Sequence, residues 1–153
     1  MLDGLSTGHR FRVFTLIDTH TRECLALVAA RSFTADRVTE IIEEVVARRR
    51  ARPQTITVDN GPEFTSRRMD YWAHLRGVEL DFIRPGRPVE NCYIESFNGR
   101  FRDECLNTNW FEDIEATQKT LDSWKEDYNN TRPHSSLGQL PPTAYAQALF
   151  GLG

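Results

Sequence analysis

The chain has 153 residues, 39% of them apolar and 27% charged, a balance that suits one globular domain with its own core. No apolar run is long enough for a bilayer and no basic-then-apolar leader opens the chain, so a cytoplasmic protein without a membrane partner is expected. Cys24, Cys92 and Cys105 form neither a paired framework nor a zinc spacing, which fits reduced thiols.

In chain order, Met1–His9 is poorly patterned and reads as loop. Phe11–Ile17 is a β-rich run ending at Asp18, with apolar residues on both faces. Asp18–Arg22 is a turn, and Cys24–Ala30 a second apolar strand, so the two form an antiparallel hairpin. Thr34 is a predicted N-cap. Val38, Ile41, Ile42, Val45 and Val46 then follow helical spacing, and the Arg48–Arg52 run suits the negative end of the helix dipole. Pro53 stops that helix. Gln54–Val58 is a third strand, Ser66–Leu75 a helix, and Val78–Phe82 an alternating fourth strand.

Helical patterning resumes near Val89. Ile94, Phe97 and Phe101 make an apolar stripe; Asn91, Glu95, Asn98 and Arg102 make a polar stripe at steps of four, three and four. Ile114, Leu121, Trp124 and Tyr128 mark another amphipathic helix, ended by Arg132-Pro133. Pro141-Pro142-Thr143 starts a terminal helix bearing Tyr145, Ala148 and Leu149. Trp72, Trp110, Trp124 and Tyr128 sit at apolar positions and are expected in the core. An opening hairpin followed by alternating strands and helices predicts a mixed α/β sheet.

Two carboxylates stand out. Asp59 leaves a strand, where open α/β sheets place their sites. Asp-Asn-Gly also makes a tight turn, but a hairpin needs a second strand at once, and here Pro62 and a helical pattern follow. Glu95 lies on a helix with 35 residues between it and Asp59. By itself it reads most simply as an exposed helix Glu. A carboxylate leaving a strand and one on a later helix are a common way to hold divalent cations.

Three segments carry a family resemblance: Val58-Asp59-Asn60-Gly61-Pro62-Glu63-Phe64, Asn91 to Arg102 with Tyr93-Ile94-Glu95-Ser96-Phe97-Asn98-Gly99, and Tyr128-Asn129-Asn130-Thr131-Arg132-Pro133-His134-Ser135-Ser136-Leu137-Gly138. Together they resemble the integrase-type transposases of bacterial insertion sequences, relatives of the retroviral integrases. That family uses an Asp, Asp, Glu triad with 35 residues between the last two members. The resemblance implies a ribonuclease-H-like α/β fold, a mixed sheet flanked by helices. It implies that Asp59 and Glu95 are catalytic and hold Mg²⁺ or Mn²⁺ for cleavage and strand transfer of DNA. The family's first Asp lies on a strand just ahead of the segment that Asp3–Arg12 resembles. The expectation is therefore a core over 1–132 lacking that first, central strand, with a C-terminal turn and short helix over 133–153, and weak or no activity for the chain alone.

The same resemblance implies transposon-end and target DNA as partners, and a homo-oligomer. Asn60, Arg87, Asn98, Arg100 and Arg102 are the candidate phosphate-contacting residues, against a plain reading as solvated surface. Asp18 is an auxiliary carboxylate candidate, with turn capping as the simpler role. His134 is read as a packing or capping residue. The alternatives to a strand-transfer enzyme are a non-catalytic DNA-binding or self-association module and a hydrolytic nuclease of the same fold.

Overall fold

The computed structural model describes residues 2–5, 8–58, 62–82, 92–134 and 137–150. They form two compact units, one of residues 1–31 with 96–153 and the other of residues 32–95.

The first unit is built on an antiparallel sheet of order β1-β2-β3, with β1 at Leu2–Gly4, β2 at Arg10–Ile17 and β3 at Cys24–Ala30. The predicted hairpin is β2–β3, in register from Arg12 opposite Ala30 to Ile17 opposite Cys24. The loop expected over Met1–His9 is corrected: Leu2–Gly4 pairs with Arg10–Arg12 of β2. A strand edge of unpaired N–H and C=O groups draws in adjacent backbone, which outweighs the modest strand penalty of Gly4. The reversal is tight. The Leu5 N–H donates to the His9 carbonyl at 2.7 Å and the Gly8 N–H to the Leu5 carbonyl at 3.0 Å. Gly8 sits at φ +89, a conformation open to glycine. Leu5 is buried and supplies the apolar anchor.

Helix α5 (Ile114–Asn130) lies on β3. Thr117, Leu121, Trp124 and Tyr128 make its buried stripe, and Asp113 caps it by accepting from the Ala116 N–H. Residues 118 and 129 are three turns apart and so share a face. The Gln118 amide accepts from the Ala29 N–H and donates to the Leu27 carbonyl, both at 2.8 Å. The Asn129 amide does the same with the N–H and carbonyl of Cys24, also at 2.8 Å. Two side chains thus do for the outer edge of β3 what a fourth strand would do. Helix α6 (Pro142–Phe150) packs on α5, burying Pro142 and Ala146; Ala148 and Leu149, expected on its apolar face, are exposed.

The second unit pairs β4 (Thr55–Val58) with β5 (Glu79–Phe82) in parallel, Ile56 opposite Leu80. Helix α1 (Ala35–Arg49) starts at the predicted cap: the Thr34 hydroxyl accepts from the Arg37 N–H. Val38, Ile41, Ile42 and Val45 are buried. The short helix α2 (Pro62–Thr65) leads into α3 (Arg67–Arg76), capped by Ser66 and ended by Gly77 at φ +67. Helix α3 packs on α1 through Met69, Trp72 and Ala73. The Trp72 indole N–H donates to Glu43 at 2.8 Å, and Arg76 pairs with the same carboxylate at 2.7 Å.

Helix α4 (Cys92–Phe101) continues into a single π-helical turn, Arg102–Leu106, closed by the Asn107 N–H on the Arg102 carbonyl at 2.8 Å. Of the four aromatics expected in the core, Trp72, Trp124 and Tyr128 are buried. Trp110 is 83% exposed. It falls in the connection between the π-turn and α5 and not on a helix, so no packing face receives it. Cys24 and Cys105 are free and buried. Burial pushes their thiols up to about 12 and about 11, so both stay protonated and inert at neutral pH. Among the described residues, no helix is long and apolar enough to cross a membrane.

Candidate metal and DNA site

Strand β4 delivers the chain to Asp59. Its last residue, Val58, is buried and pairs with Phe82, so the strand is fixed up to the residue before the carboxylate. Asp59, Asn60 and Arg87 lie outside the described residues.

Glu95 is on the first turns of α4 and exposed. The predicted division of that helix holds at Glu95, Phe97 and Phe101 and is blurred at Asn98. Phe97 and Phe101 are buried on one side, while Glu95 faces solvent and Asn98 and Arg102 are half-buried. The buried side is locked by rings: Phe97 meets Trp124 edge-on at 5.5 Å and Tyr128 at 5.2 Å, and Phe101 lies 5.1 Å from Trp124. Aromatic pairs of this kind contribute about 0.5–1.5 kcal/mol each beyond the area they bury. Ile94 is half-buried at the margin of the stripe. Arg100 is exposed. The amide oxygen of Asn98 is buried and accepts no hydrogen bond, so this residue is turned further inward than a solvated polar stripe implies.

Asp18 caps its own turn, accepting from the His20 N–H at 2.8 Å and the Thr21 N–H at 3.1 Å. That is the simpler of the two roles the sequence allowed. His134 is a packing residue: its ring stands edge-on to Tyr128 at 4.9 Å, and its backbone N–H donates to the Leu140 carbonyl at 3.1 Å. Burial, and then the charges of Arg100, Arg132 and Arg22, hold its imidazole below the ordinary value.

Sequence reasoning missed the tie between α4 and α5. Arg132 pairs with Asp127 at 2.9 Å and with Glu104 on the π-turn, its guanidinium 5.7 Å from the Trp124 ring centre. Arg132 stood in a motif, but nothing in the spacing named Glu104 as its partner. Among the described residues, no three His, Cys, Asp or Glu side chains gather as a metal site. The donor type at hand suits a hard cation: Glu95 is an exposed carboxylate residue on α4.

Residues 2–88 match the integrase core domain family, and residues 76–142 match it again. The chain is 42% identical over 146 residues to the uncharacterized 31.7 kDa protein of insertion element IS407 from Burkholderia multivorans, covering 95% of this chain and 52% of that protein. It is 39% identical over 146 residues to the uncharacterized 39.2 kDa protein of insertion element IS476 from Xanthomonas euvesicatoria, covering 95% and 42%. The chain thus spans about half the length of these relatives. Its fold is similar to the catalytic core domain of HTLV-2 integrase, solved in complex with magnesium in a trimeric form. That match has a TM-score of 0.70 at 11% identity and covers 95% of this chain and 90% of the other. The fold is therefore ribonuclease-H-like, and the chain, matched over more than half its length, belongs to the integrase core domain family.

Proposed function

We propose that this chain supplies the catalytic core of an insertion-element transposase, acting on DNA with a divalent cation. The observation that carries the reading is the two-sided helix α4. Its aromatic side is locked to α5, while its first turns carry Glu95 at an exposed position. A carboxylate on a rigid, one-side-buried helix is preorganised, and the 35 residues between Asp59 and Glu95 support reading it as the family's final Glu.

Asp59 and Glu95 would hold Mg²⁺, with Mn²⁺ as substitute. When bound, the ion supplies Lewis acidity that polarises a scissile phosphodiester and activates the attacking oxygen. Asn60, Arg87, Asn98, Arg100 and Arg102 would orient the DNA backbone, fixing position without reading sequence. Self-association fits the trimeric form of the HTLV-2 core.

Two measurements test this. Mn²⁺ titrated into the chain should bind, and Glu95→Gln or Asp59→Asn should each abolish binding. Exchanged for the matching region of the whole Burkholderia multivorans relative, the chain should nick transposon-end DNA only with Mg²⁺ or Mn²⁺. Nicking that survives both substitutions would sink the site.

A further inference from the structure

The π-turn after α4 is an irregular helix segment, and it directly follows the helix that carries Glu95. A turn bonded i to i+5 holds one residue more than an α-turn. If it relaxed to α-helix, the extra residue would be taken up. Everything N-terminal to it would then rotate about the helix axis by roughly 100° relative to the residues after it. Such a slip would carry Glu95 from one face of α4 to another. Something must hold the turn.

Several groups do. The Thr108 hydroxyl donates to the Glu104 carbonyl and the Asn109 amide to the Cys105 carbonyl, both at 2.8 Å. Phe101, Cys105 and Leu106 are buried. The hydroxyl and amide bonds secure the turn only to its own neighbours, while the packing of Phe101 on Trp124 holds α4 just ahead of it; neither bonds the π-turn's polar side to α5. The long-range tie is Arg132. Its guanidinium spans from Asp127 of α5 to Glu104 of the π-turn while lying over Trp124, the ring that also receives Phe97 and Phe101. Arg132 is itself pinned, because its backbone N–H donates to the Asp127 carbonyl at 3.3 Å just past the end of α5. The Glu104 arm of this planar, always charged fork is the one that reaches the π-turn, while the backbone bond to Asp127 keeps Arg132 at the end of α5 even without the Asp127 carboxylate.

We propose that Arg132 is a positioning residue for Glu95: by holding Glu104 against α5 it keeps the π-turn wound and so fixes the bearing of the carboxylate about the axis of α4. The functional consequence rests on the reading of Glu95 as a metal-holding residue. The mechanical part does not.

The test uses the full chain, ¹⁵N-labelled, with Arg132→Gln, Glu104→Gln and, as control, Asp127→Asn, which leaves the Arg132–Glu104 pair in place. Arg132→Gln and Glu104→Gln should move the same amide signals from Glu95 to Asn107, and speed hydrogen exchange at the Asn107 amide by about tenfold. Mn²⁺ broadening centred on Glu95 should need roughly tenfold more metal, the usual size of an outer-sphere effect. Asp127→Asn should do neither. Shifts confined to residues next to Arg132, with Asn107 exchange unchanged, would overturn the proposal. If Arg132→Gln fails to fold, the isosteric Glu104→Gln reads the same clamp from its other end. If the unsubstituted chain shows no Mn²⁺ broadening at Glu95, the metal reading fails, and the amide pattern still decides the clamp.

Discussion

Replacing Gln118 or Asn129 by Ala should cost far more than an ordinary helix-surface change. Each amide closes two backbone groups of β3, all four bonds at 2.8 Å. Cys24, Leu27 and Ala29 are 1%, 2% and 6% exposed, so water has little access to replace what is removed. The geometry leaves no slack: 11 helical residues rise about 16 Å, and the five steps from Cys24 to Ala29 span about 17 Å. No neighbouring side chain can therefore slide into place. Leaving a buried donor or acceptor unpaired costs about 1–3 kcal/mol, so two per substitution give about 2–4 kcal/mol, with some relief from local relaxation. For a chain of this size that lowers the melting temperature by roughly 5–15 °C. Urea denaturation of each variant, with sedimentation in parallel, measures both effects, because an uncovered edge also invites pairing with another chain. A loss below about 0.5 kcal/mol, the ordinary surface range, without self-association would refute the idea that these amides stand in for a strand.

Two further outcomes are expected. If the arginines after β5 and on the π-turn follow the DNA backbone, Arg87→Ala and Arg102→Ala should weaken binding to all sequences alike and flatten the salt dependence by roughly one unit per lost contact. An unchanged slope in fluorescence anisotropy would return them to solvated surface. His134 has its folded value held below the ordinary 6.5, first by burial and then by Arg100, Arg132 and Arg22, so the unfolded chain takes up its proton first. Its contribution to stability is complete above pH 6.5 and lost as the pH falls below it. His134→Gln should flatten melting temperature against pH in that window, and an unaltered profile would contradict it.

Much of the fold was legible because its signals are local. Thr34 and Ser66 cap helices through their own hydroxyls, Gly77 ends one, and the hairpin of β2 and β3 follows from two apolar runs around a turn. The two faces of α4 were also readable from a stripe at helical steps. What escaped depends on partners far along the chain. Leu2–Gly4 is a strand because β2 offers an edge, not because Leu-Asp-Gly prefers to be extended. Trp110 looked like core by composition alone, yet it falls where no element packs. Gln118 and Asn129 are ordinary polar helix residues until β3 is placed beside them. Of the candidate site, the motif supplied Asp59 and Glu95, whereas the Arg132–Glu104 tie appears only once the π-turn is known.

The division of the chain has a consequence for its synthesis. Residues 32–95 form one unit from an unbroken stretch, while the other unit needs residues from both sides of it. Asn129 must meet Cys24 across 105 positions of sequence. At a ribosomal rate of about 5–20 residues per second, α5 emerges roughly 5–20 s after the hairpin it covers. The middle unit is free to fold within that interval. The β2–β3 hairpin is not finished by then, and the outer edge of β3 waits open beside every other nascent chain on the same message.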